Sequence, residues 1–282
     1  MSQADVNSSG RLHGIWALTN RELKKWYKEP VIFMLSIIQP IIWMGLFGKA
    51  MNIGALVSGN PSIPPQLAQQ FMLQTFGTGD YFSYMSVGIV AFVALFTTMF
   101  SGMSVVWDRR LGFLNKVLST PVSRAVIIFS KVLSAALRSM FQAAIVIGIA
   151  FLFGLQVGPS FTWVNLLGVL AIVFLICVGL SSFFIAITIR STRMETPMAV
   201  ANLITLPLMF ASNAFFPSQL QPDWLQTVAR FNPMSYTTDA VRQLLIFNTD
   251  VAQLLTDFLY VGIFAFAVAT IGIVLSWRYL SR

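Results

Sequence analysis

Long apolar runs separated by short basic segments constrain this chain more than any other feature. An α-helix needs roughly 20 apolar residues to cross a bilayer core of about 30 Å, and several runs here approach or exceed that length. Only 10% of the 282 residues are Asp, Glu, Lys or Arg, while 56% are hydrophobic, with 25 Phe among them. Soluble domains carry roughly 25% charged residues. A soluble core of this size has no room for so much apolar surface, so lipid must cover part of it. The expected fold class is an all-α polytopic membrane protein. It has six transmembrane helices, an N-terminal amphipathic interfacial helix and outer re-entrant short helices.

Residues 1–10 are polar and expected to be disordered, and no cleavable signal is expected after them. Residues 11–29 set Leu12, Ile15, Trp16, Leu18 and Leu23 among Arg21, Lys24, Lys25 and Lys28. That pattern suits a helix lying on a membrane surface with its cations toward headgroups, or a solvated helix. The six-helix domain then occupies residues 30–282, with spans at about 31–47, 82–106, 126–153, 161–189, 197–215 and 258–277. Pro40 interrupts the first span; it removes a donor, and the carbonyl it frees needs another partner. Lys131 and Arg138 interrupt the third. Its uncharged core covers 139–155, where the stretch Met140–Leu155 rises about 24 Å. Arg138 is therefore expected near the membrane boundary, where it can snorkel. Residues 122–137 would form an interfacial helix or an extension of the span. Residues 49–80 read as a loop with room for one short helix, and 217–256 as a segment long enough for two short helices that need not cross.

Orientation follows from the basic residues. With the N-terminus inside, the outer segments hold only Lys49, Arg230 and Arg242, and Arg138 sits near a boundary; the other 14 of the 18 Lys and Arg fall inside. An even number of spans puts both termini in the cytoplasm, and the expected location is the cell (inner) membrane. The same clustering between apolar runs removes the nucleic-acid reading that a net charge of +8 would otherwise invite.

No catalytic constellation is visible. His13 is the sole histidine, so neither a histidine-based metal cluster nor a Ser-His-acid triad is available. No G-x-x-x-x-G-K-[ST] loop exists to cradle nucleotide phosphates. The chain is not expected to be an enzyme or to hold a cofactor. Cys177, the single cysteine, lies in an apolar stretch and reads as a small buried hydrophobe.

Two segments carry more information. In the first inner loop, residues 107–124, Leu111, Leu114 and Leu118 fall on one side of a short helix. Asp108 favours its start, Arg109 and Arg110 follow, and Pro121 limits its end. Such a helix could lie against membrane or dock on a soluble partner. In the second segment, residues 231–242, Pro233 stands near a helix start, and Asp239 and Arg242 are three apart. Exposed to solvent, that pair would contribute only about 0.2–0.5 kcal/mol.

At these segments the chain resembles the ABC-2 type transport permeases, the membrane subunits of a class of ATP-binding cassette exporters. Asp108-Arg109, Gly112 and Thr120-Pro121-Val122-Ser123-Arg124 match the family's inner-loop pattern, although Asn115 stands where the family usually has Glu. Asn232-Pro233-Met234-Ser235-Tyr236, ending at Asp239-Ala240-Val241-Arg242, resembles the segment before the family's last span. The resemblance implies a homodimer, or pairing with a related permease as second half. It also implies two separate nucleotide-binding ATPase subunits on the cytoplasmic side, which hold the ATP and Mg. On that likeness the N-terminal helix and residues 108–118 meet the ATPase, while Asn232, Pro233, Tyr236, Asp239 and Arg242 belong to an outer gate.

Cargo is less constrained. Phe92, Phe96 and Phe100 recur on one face of the second span and read either as an apolar path or as a packing or lipid-facing stripe. With Arg138, Gln142 and Asn202 they make the candidate pathway set. The scarcity of deep polar groups favours outward movement of a hydrophobic or amphipathic cargo, a drug or a lipid. Alternatives are a permease for a lipid-linked glycan or polysaccharide, an ion-coupled secondary transporter or channel, and a membrane anchor. A secondary transporter generally needs ionisable groups near midplane, and no Asp or Glu is expected there.

Overall fold

The computed structural model describes residues 3–50, 64–120, 122–191, 193 and 195–280. Pro121 and the stretch 51–63 of the expected 49–80 loop lie outside the described residues. The described chain is helical throughout: α1 (Gln3–Lys28), α2 (Pro30–Trp43) with a π-helical turn (Met44–Ala50), α3 (Pro65–Phe76), α4 (Tyr81–Arg110), α5 (Phe113–Leu118), α6 (Arg124–Leu152), α7 (Asn165–Thr188), α8 (Glu195–Phe210), a 3-10 turn (Ser218–Leu220), α9 (Asp223–Ala229), α10 (Pro233–Leu245) and α11 (Val251–Leu280). Among the described residues, five segments are long and apolar enough to cross a membrane: Pro30–Ala50, Pro65–Arg110, Arg124–Leu152, Asn165–Thr188 and Val251–Tyr279. The 16 residues of α8 fall short of that length.

Several boundaries differ from the sequence reading. The backbone of 3–10, expected to be disordered, continues the ladder of α1, because no proline precedes Pro30 to stop it. The third span shows no break at Arg138, so residues 124–137 extend the span as one helix. The last helix starts at Val251 rather than near 258. There Asp250 accepts from the amides of Ala252 at 2.9 Å and Gln253 at 3.3 Å, an N-cap contact that hydropathy alone does not reveal.

Helix α7 is the hub. It packs against α4, α6, α10 and α11, and Ile172, Val173, Ile176, Cys177 and Leu180 along it are buried. By contrast, α2 exposes Val31, Ile32, Leu35, Ile38 and Ile42, and α11 exposes Leu255, Leu259, Ile263 and Phe266. Rows of exposed apolar side chains on the outer helices, around a packed interior, are what a lipid environment permits.

Two local features fix how the elements meet. Pro40 offers no N–H to the Ser36 carbonyl four residues back; instead the Gln142 amide of α6 donates to that carbonyl at 3.4 Å. At Gly88 of α4, an added Cβ would lie 2.0 Å from the Ala214 carbonyl oxygen. That approach is what lets the turn after α8 seat on α4. Gly88→Ala is expected to cost about 1–3 kcal/mol through forced separation, read as a lower thermal midpoint in detergent. An unchanged midpoint would show that the two segments part freely.

Candidate functional site

The bundle carries polar sites at two ends. At the basic end, α4 runs 30 residues, about 45 Å at 1.5 Å per residue, which exceeds an apolar core of about 30 Å. A helix this long reaches past the core at one end or both, and its charged residues, Asp108, Arg109 and Arg110, all fall in the last turn. Gly112 then adopts a left-handed backbone with φ of 70°, a conformation that costs glycine little, and the chain turns into α5. Contrary to the sequence expectation, Asp108 does not start the short helix. It stays in the last turn of α4 because the break comes four residues later.

Asp108 points inward and is only 1% exposed. Its Oδ2 accepts from Lys131 Nζ of α6 at 2.6 Å. The same ammonium donates to Glu22 Oε1 of α1 at 3.3 Å and to Ser104 Oγ of α4 at 3.2 Å. Lys131 and Glu22 are also buried. Arg21 pairs with Glu22 at 2.8 Å and stands 3.5 Å from Asp108 Oδ1, while Lys25 lies 3.8 Å from that oxygen. One lysine thus joins two carboxylates on two other helices, with two half-buried cations compensating the second negative charge. The Arg21 guanidinium also lies 3.3 Å from the centre of the Phe113 ring, tying α1 to α5.

Helix α5 buries Leu114 and Val117 against Ile127 and Leu18. Leu111, placed with Leu114 and Leu118 on one side by the sequence reading, is instead 68% exposed, since it belongs to the turn before α5. Trp107, Arg110, Leu111, Asn115 and Lys116 are all exposed at this corner. Arg109 turns the other way. It donates to the carbonyls of Ile189 and Ser191 beyond α7, satisfying carbonyls that a helix end leaves open.

At the opposite end, Asn232 caps α10 by accepting from the Met234 amide at 2.9 Å, and its amide donates to Leu208 and Ala211 carbonyls at 2.7 and 3.0 Å. Pro233 fills the first helical position. The Asp239–Arg242 pair is only half exposed to solvent: Arg242 is 2% exposed, because α10 is sunk among α4, α7 and α11, while the Asp239 side chain is 40% exposed. Arg242 lies 3.7 Å from the centre of the Tyr84 ring, donates to the Ala214 carbonyl at 3.0 Å and stands 3.9 Å from Asp239. Asn213 Nδ2 donates to Asp239 at 2.6 Å. Partial burial raises the Asp239 carboxyl above its ordinary value, against the lowering pull of Arg242 and Asn213. Tyr236 stacks on Tyr260 with ring centres 3.9 Å apart.

The candidate pathway residues do not converge. Phe92 is core, packed on Trp43, Phe96 and Phe215, while Phe100 and Asn202 are exposed. Gln142 is an interior tie, accepting from Thr97 and donating to Ser36. Arg138 is half-buried, its Nε donating to the Ser134 carbonyl at 3.3 Å. Sequence reasoning missed Glu22, Ser104 and the role of Lys131. The one available signal was that Asp108 and Lys131 are opposite charges near the same ends of two apolar runs.

These helices, packed inside and apolar outside, define a multi-pass integral membrane protein. A family model described as ABC-2 type transporter matches residues 13–246. The chain belongs to that family and is a membrane permease subunit of an ABC-type transporter. It is 31% identical over 238 residues to a putative transport permease ycf38 of Porphyra purpurea, covering 84% of this chain and 75% of the relative. It is 25% identical over 229 residues to a probable doxorubicin resistance ABC transporter permease protein DrrC of Mycobacterium tuberculosis, covering 79% and 74%. With nodulation protein J of Rhizobium leguminosarum bv. trifolii it shares 23% over 233 residues, covering 82% and 80%. Among the described residues, no group of three or more His, Cys, Asp or Glu is placed to hold a metal ion.

Proposed function

We propose that this permease exports a hydrophobic or amphipathic cargo outward, driven by two separate ATPase subunits that dock at the corner formed by α1, the end of α4 and α5. The observation that carries this reading is the corner itself. It exposes Trp107, Arg110, Leu111, Asn115 and Lys116 at the basic end, while its other face is locked to the bundle by the Asp108–Lys131–Glu22 triad. The basic end is then cytoplasmic. Helix α8, about 24 Å long at 1.5 Å per residue, serves with the turn after it as a sixth crossing, so both termini return to the cytoplasm. The exposed apolar faces of α2 and α11 meet lipid or a second copy of the chain.

The cargo class rests on what the deep polar groups do. Gln142 is occupied by Thr97 and Ser36, which leaves little to solvate a charged polymer. The mycobacterial relative's name, with its doxorubicin resistance, points the same way. Phe100 and Asn202 remain candidates for a pathway wall, and α9 and α10 for the outer closure. Leu111→Asp combined with Lys116→Glu should cut the amount of co-purifying ATPase by about tenfold, roughly 1.4 kcal/mol of binding, without lowering thermal stability. Unchanged co-purification and unchanged ATP hydrolysis in that variant would remove the docking assignment.

A further inference from the structure

We infer that Lys131 is a positioning residue that makes α6 a lever, carrying displacement of the docking corner to the interior contact at Gln142. The inference rests on the docking reading above, but its own evidence is internal to the chain.

Three observations combine. First, the Lys131 ammonium holds α1 through Glu22 and α4 through Asp108 and Ser104. The apolar contacts at the same corner, Leu18, Leu114, Val117 and Ile127, are non-directional and tolerate sliding. The ionic contacts do not, because separating buried opposite charges leaves each uncompensated. The triad therefore sets the register of α1 and α4 on α6. Second, the Arg21 guanidinium lies on the Phe113 ring, so α5 moves with α1. Third, α6 is unbroken from Arg124 to Leu152 and contains no proline, the commonest cause of a sharp helix kink. Eleven residues beyond Lys131, about 16 Å along the axis, Gln142 accepts from Thr97 of α4 and donates to the Ser36 carbonyl of α2. That carbonyl is the one Pro40 leaves free, so the lever's inner contact falls on the weak point of α2. A shift of the corner thus arrives at the place where α2 deforms most readily.

The test uses the permease in complex with its ATPase, in nanodiscs. Leu152→Cys, at the exposed far end of α6, carries an environment-sensitive fluorophore, with buried Cys177 left in place. The wild-type background should give an emission change on adding ATP with vanadate. The neutral triple variant Glu22→Gln, Asp108→Asn, Lys131→Met removes all three fully buried charges together, leaving only the half-buried Arg21 and Lys25, which water can reach. It should keep the ATPase bound and hydrolysis within about threefold, while the emission change falls by at least about fivefold. Lys131→Arg, which keeps a cation between Glu22 and Asp108, should retain most of it. A folded neutral variant with the full emission change would overturn the lever, as would a folded Lys131→Arg variant that loses the change as fully as the neutral one. A wild-type complex that hydrolyses ATP without any change at Leu152 would also overturn it. Failure of the ATPase to co-purify with the wild-type chain is a different result: it overturns the docking reading.

Discussion

Asp108→Ala is expected to lower the stability of the permease by about 3–5 kcal/mol, the cost of leaving a buried charge without its partner. Lys131 would keep Glu22 at 3.3 Å and Ser104 at 3.2 Å but lose its 2.6 Å contact, and Arg21 and Lys25 would lose the oxygen they face. Asn at the same position keeps an acceptor for the ammonium and should cost less. Arg110, exposed two residues away, supplies the control, since surface substitutions usually stay within about 0.5 kcal/mol. Thermal unfolding in detergent, followed by loss of the monodisperse peak, ranks the three variants. Equal midpoints for Asp108→Ala and Arg110→Ala would mean that the triad contributes no stability to the fold.

Arg242→Met should have the second large effect, about 3 kcal/mol. The size follows from one lost charge-assisted hydrogen bond, worth about 1.5–3 kcal/mol, together with a desolvated cation–π contact of about 2 kcal/mol, less what the apolar methionine regains. Three segments meet on this side chain: α4 through Tyr84, the turn after α8 through Ala214, and α10 itself. Its loss should therefore loosen one end of the bundle. Limited proteolysis within residues 211–232 should accelerate in the variant, while the corner at the basic end keeps its protection. Uniform acceleration at both ends would argue against so local a role.

The helices themselves were legible because bilayer thickness translates directly into run length. The need of the Pro40-freed carbonyl for a partner was also legible, since the missing donor is a local fact. The identity of that partner, Gln142, was not. The ionic corner was hidden for the same reason. Lys131 and Asp108 are 23 residues apart, and Lys131 and Glu22 are 109 apart; no periodicity encodes such a meeting. Read alone, Lys131 looked like an interruption of an apolar stretch and Asp108 like a helix start, although burial makes them partners. Arg242 was misread in the opposite sense. Its helix is polar enough to pass for an exposed cap, yet α10 is covered on nearly every side. The Phe92, Phe96 and Phe100 stripe spans the whole range from core to surface because α4 passes from beneath Trp43 and Phe215 to an open face.

The proposed ATP-driven export is tested most directly by co-reconstituting the chain with its ATPase partner in liposomes. ATP-dependent accumulation of doxorubicin or of a fluorescent phospholipid is then followed in vesicles with the basic end facing out. At least one probe should accumulate inside only when ATP is hydrolysed, and no movement should occur without the ATPase. Dissipation of a probe or ion gradient by the chain alone, without ATP, would contradict it.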